Sequence, residues 1–76
     1  MNAQAKELII KELLDEIQQN LRSAKKSVMA AKACTDAGSI SQAVQVSMEL
    51  DQTIYDLGRL HDAVTLLGRS PKVGRT

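Results

Sequence analysis

Between Ala3 and Ala33 the chain carries neither glycine nor proline, and its apolar residues keep one period throughout. Ile10, Leu14, Ile17, Leu21, Ala24, Val28 and Ala31 follow one another at alternating steps of four and three. That spacing draws a single stripe down a helix and predicts a neighbouring helix lying nearly along it. Strand alternation is absent from both halves of the chain. A helix of about 30 residues is about 45 Å long, more than a small globular core can surround. The stripe thins from Leu and Ile to Ala toward its C-terminal end, so the neighbour is expected to approach more closely there; Leu13 and Leu8 widen the stripe at the other end.

The helical pattern breaks at "ACTDAGSISQ". Gly38 can take the left-handed conformation that ends a helix. Ser39 and Gln42 fit the S-x-x-Q form of a capping box. A second stripe then runs through Val46, Leu50, Thr53, Leu57, Leu60, Val64 and Leu67. The expectation is an all-α, two-helix antiparallel hairpin over 1–68, with helix 1 over about 3–34, a turn over 35–39 and helix 2 over about 40–67. The remaining 69–76, "RSPKVGRT", reads as a flexible basic tail.

Composition then bears on how such a hairpin survives. Phe and Trp are absent, and Tyr55 is the only aromatic residue. A core of aliphatic side chains in so short a chain rarely supplies more than ~3–5 kcal/mol. One Cys excludes an internal disulfide, and one Cys with one His cannot complete a structural zinc site. Self-association is the remaining remedy, so a homodimer forming a four-helix bundle is expected. The formal net charge of +1 gives no nucleic-acid footprint, and Arg22, Lys25, Lys26 and Lys32 read as a solvated face. No apolar run approaches the ~20 residues of a membrane span. The N-terminus lacks the order of a secretory signal, which predicts a cytoplasmic protein with Cys34 as a free thiol.

Catalytic groups of the usual kinds are not assembled. Cys34 falls near the turn and His61 late in the second helix, and neighbouring His61 and Asp62 point in different directions on a helix. His61 reads as a packed edge residue. One stripe stands apart: Ser47, Asp51, Tyr55 and Gly58, at steps of four, four and three. It aligns a hydroxyl, a carboxylate, the aromatic ring and a patch of bare backbone on one face.

The stretch "SMELDQTI" resembles the signature helix of the stage-zero sporulation protein E family of aspartyl-phosphate phosphatases. That pattern is Ser-Gln-Glu-Leu-Asp with an aliphatic residue three positions on, matched by Ser47, Glu49, Leu50, Asp51 and Ile54. Ala43, Val44 and Val46 stand where the family places aliphatic residues. The resemblance implies removal of the phosphoryl group from the aspartate of a response regulator, with Ser47 and Asp51 as the catalytic residues. Met48, Glu49, Tyr55 and Gly58 would contact the partner. The chain would need no cofactor of its own, because the partner would hold Mg²⁺ and the acyl phosphate while the helix orients a water for in-line attack. Met48 departs from the pattern, standing where the family has an amide; Gln45 and Gln52 are the nearest amides.

A second resemblance points to binding without chemistry. Leu8, Glu12, Leu14, Ile17, Leu21 and Ala24, with Leu50, Asp51 and Ile54, look like the short co-chaperones of type III secretion needle subunits. On that reading the hairpin holds another helical protein, and Ser47, Asp51 and Tyr55 rim a contact centred on Met48, an adaptable side chain.

Overall fold

The computed structural model describes residues 2–69, and every regular element among them is helical. Helix α1 spans Ala3–Asp36, α2 spans Ile40–Ser47 and α3 spans Leu50–Arg69. α2 and α3 return along α1, both packing against it, so the molecule is a hairpin drawn into a rod of 57 × 17 × 12 Å. Arg69 closes α3 instead of opening the tail; the rest of the expected tail, 70–76, lies outside the described residues.

Local chemistry sets each end. Asn2 caps α1: its side-chain oxygen accepts from the Ala5 amide at 2.7 Å, satisfying a donor that the first turn leaves orphaned. At the other end Gly38 has φ +83°, the Gly38 amide donates to the Thr35 carbonyl and the Ser39 amide to that of Cys34. This pair of bonds is the Schellman closure, and glycine is the residue that adopts it without steric cost. Ser39 and Gln42 meet as expected but not as a capping box. The Ser39 hydroxyl is 3.4 Å from the Gln42 side-chain oxygen, and it makes no cap bond to backbone.

The seam on α1 differs from the expected one in one of its two columns. Ile10, Ile17, Ala24 and Ala31 turn inward, but the column beside them is Leu13, Asn20, Ser27 and Cys34. Leu14, Leu21 and Val28, expected inside, are 50%, 54% and 43% exposed. Both columns give the same steps of three and four, one on either side of the shared column, so spacing alone cannot choose between them. The short connector at 37–39 favours the smaller column near the turn, where Ser27 and Cys34 join Ala24 and Ala31. Ala43, the one buried hydrophobic among the described residues, lies at this end of the return arm. On the return arm the expected seam holds: Val46, Leu50, Thr53, Leu57, Leu60, Val64 and Leu67 are all half-buried.

The second helix is not continuous. At Met48 and Glu49 the ladder tightens: Glu49 donates to the Val46 carbonyl, Asp51 to that of Met48, and the Met48 amide is shared between Val44 and Gln45. The bonds skip to three residues, which is 3₁₀ geometry. The Ser47 hydroxyl donates to the Val44 carbonyl at 2.8 Å, a local side-chain bond of a kind that competes with the helical ladder. No glycine or proline announces this break. No helix among the described residues is long and apolar enough to cross a membrane.

Candidate functional site

The break between α2 and α3 falls within the SMELD core, and it sets where each site residue points. Ser47 ends α2 half-buried, lining a groove of about 380 Å³ with Val28, Ala31, Ala43 and Leu50. Its hydroxyl proton is committed to the Val44 carbonyl, leaving oxygen lone pairs as acceptors. Met48 and Glu49 form the turn itself, and both are exposed, Met48 by 61%. Asp51 lies in the first turn of α3, exposed, where the positive end of the helix dipole favours its carboxylate. Asp51 is not among the residues lining the Ser47 groove. The hydroxyl and the carboxylate therefore flank the break, one half-buried and the other in solvent.

Tyr55 and Gly58 follow on α3, both exposed. The phenol of Tyr55 does not swing freely. Arg59 donates to its hydroxyl at 3.1 Å, and the guanidinium carbon lies 5.7 Å from the ring centroid. One turn earlier the Gln52 amide donates to Asp56 at 2.9 Å. Tyr55, Asp56 and Arg59 gather with Glu16 and Asn20 of α1 around a shallow polar depression of about 310 Å³. Arg59 and Asp56 were not singled out from sequence, although Arg59 lies four residues from Tyr55 and Asp56 four from Gln52, the spacing at which helix side chains meet. Gln52, one of the two amides flanking Met48, is held by Asp56.

Cys34 is half-buried in the last turns of α1, and His61 is exposed in the second half of α3 rather than packed at the seam edge. Among the described residues no group of His, Cys, Asp and Glu is arranged to hold a metal ion. The chain's own groups thus offer an exposed carboxylate, an exposed thioether, a clamped phenol and an accepting hydroxyl around one helix break. Such a surface can hold a partner and place an acceptor beside a reactive group that the partner brings.

The two lateral faces of the hairpin differ in kind. On one, Leu14, Leu21 and Val28 of α1 lie in a row seven residues apart, alongside Ile40, Val44 and Ile54 of the return arm. Each of these six is 43–61% exposed. On the other face Glu16, Asn20 and Asp56 gather with Leu60, and toward the start of α1 Leu8, Ile9 and Leu13 line an apolar groove of about 400 Å³ with Leu60. Comparison with family models, curated proteins and solved structures finds no match to the chain.

Proposed function

We propose that this hairpin is a small negative regulator that works in the cytoplasm by docking on a signalling protein through the helix break between α2 and α3. The observation that carries the reading is the exposure of Met48, Glu49, Asp51 and Tyr55 around a 3₁₀ turn that falls inside the SMELD core. Tightened turns of this sort within a helix often mark functional hinges. The resemblance of Ser47–Asp51 names the partner as a response regulator, which supplies Mg²⁺ and the aspartyl phosphate. Asp51 then accepts a hydrogen bond from the attacking water, and Ser47 accepts a second through its free lone pairs. Tyr55, Met48, Glu49 and Gly58 are contact residues. Two copies form a four-helix bundle, presenting the break twice.

Met48 favours a second reading. Its exposed thioether stands in place of the family's amide, and a flexible apolar side chain suits binding better than water orientation. On that reading the hairpin holds a helical partner without chemistry, as a co-chaperone or anti-activator does.

One experiment separates the two. A phosphorylated response regulator is incubated with the hairpin, and acyl-phosphate loss and binding are both followed. Regulator activity predicts faster loss with wild type, a deficit in Asp51→Ala larger than its loss of binding, and preserved or greater activity in Met48→Gln. Binding with no change in phosphate lifetime leaves the non-enzymatic reading. Absence of both removes the docking proposal.

A further inference from the structure

We infer that Lys32 binds the acyl phosphate, its ammonium serving from α1 the same groove that Ser47 lines from α2. The response-regulator reading above, on which this rests, needs a cation that the SMELD core lacks. Glu49 and Asp51 bring two exposed carboxylates to the helix break, and no basic residue lies between Ser47 and Ile54. A phosphoryl group adds further negative charge, and like charges brought together across an interface oppose association. Arg59, the first cation along α3, is held at Tyr55 and lines the other depression, beside Glu16 and Asp56. The Ser47 groove is lined by one charged residue, Lys32.

Hydrogen bonding points the same way. Ionised phosphoryl oxygens are acceptors and bind best to charged donors. Lys32, Thr35 and Ser47 are the polar side chains lining the groove. Thr35 donates to the Lys32 carbonyl at 2.7 Å and Ser47 to that of Val44 at 2.8 Å, so both hydroxyl protons are spent. Lys32 keeps its side-chain protons to give, three of them on a flexible four-carbon stem. No ion pair engages that ammonium among the described residues, although exposed Asp36 lies four residues on. The remaining lining is aliphatic, so no second side chain of the groove competes for the anion.

The sequence groups Lys32 with Arg22, Lys25 and Lys26 as one solvated face, and the structure parts them. All four are exposed, but of the four Lys32 alone lines the groove. Lys25 stands seven residues earlier on the same side of α1, while Arg22 and Lys26 are turned further round the helix.

The first test uses the full chain alone. It is titrated with acetyl phosphate, a small acyl phosphate, and followed by nuclear magnetic resonance at lysine side chains and backbone amides. Saturable shifts are expected at Lys32 and Ser47, kept in Lys32→Arg, lost in Lys32→Gln and unaffected by Lys26→Gln. Equal shifts across Arg22, Lys25, Lys26 and Lys32 overturn the inference, because they report a general cationic face. An unmoved Lys32 overturns it as well, whatever the outcome with a response regulator. The second test uses a response regulator that acetyl phosphate has phosphorylated. Lys32→Gln is expected to weaken binding of the phosphorylated form by about tenfold, the scale of a charge-assisted hydrogen bond, and to leave the unphosphorylated form unchanged. Equal weakening of both forms overturns the pairing with phosphate. Shifts at Lys32 and Ser47 in a hairpin that binds no regulator remove the response-regulator reading and leave the acyl-phosphate site standing.

Discussion

At Gly38 a single backbone angle decides how the chain reverses. With φ at +83°, nothing lies within 4 Å of where a Cβ would stand, so a side chain there would meet no neighbour. The cost of substitution is therefore backbone strain alone, about 1–2 kcal/mol for a non-glycine residue in this region. Gly38→Ala is expected to lower unfolding stability by about that amount in urea melts, with the helical signal of the folded state unchanged. Tyr55 offers the opposite case. Its ring is 58% exposed and touches Arg59 rather than the seam, so Tyr55→Ala is expected to shift stability by less than about 0.5 kcal/mol. If Tyr55 is a docking anchor, the same change weakens partner binding by about 1–2 kcal/mol, which calorimetric titration reads directly.

Among the elements, existence and period were legible and facing was not. The long glycine-free run gave α1, Gly38 gave its stop, and the return seam from Val46 to Leu67 faces inward as its spacing predicts. The choice between Leu14–Leu21–Val28 and Leu13–Asn20–Ser27 on α1 was not legible, because a hydrophobic period records that a residue is covered and not by what. The SMELD motif was legible, but its division between two helices was not. That break is a turn of 3₁₀ bonds beside a serine that bonds its own backbone, and neither needs a distinctive residue. Two predictions belong here. The amides of Met48, Glu49 and Asp51, held by the 3₁₀ turn, are expected to exchange with solvent faster than those of Leu57 to Leu60. Asn20 is half-buried in the seam with no hydrogen-bond partner shown among the described residues. Asn20→Leu is expected to raise stability by about 1 kcal/mol in a chemical melt, since an unpaired polar group leaves a partly dry seam.

For the molecule as a whole, the shape does not match the apolar surface it must cover. A rod 57 Å long and 12 Å in its shortest extent has no interior deep enough to enclose a large side chain. Its one buried hydrophobic among the described residues is Ala43, while Leu21, Val44, Ile54 and their neighbours stay about half in water. Fully burying an aliphatic side chain is worth about 1.5–3 kcal/mol, so six that are half-covered leave about 5–9 kcal/mol unrealised per copy. Association costs 4–15 kcal/mol in lost freedom, which two such faces together can offset. If two copies pair as proposed, folding and pairing are linked through mass action, because only the folded hairpin presents the face. The thermal midpoint is expected to rise by several degrees over each hundredfold increase in protein concentration, followed by circular dichroism. Leu21→Asp places a carboxylate at the centre of that face, and it is expected to lower the midpoint and remove its concentration dependence together. A midpoint that ignores concentration in the wild type would mean that the hairpin stands alone, with the Leu14–Leu21–Val28 row open to water.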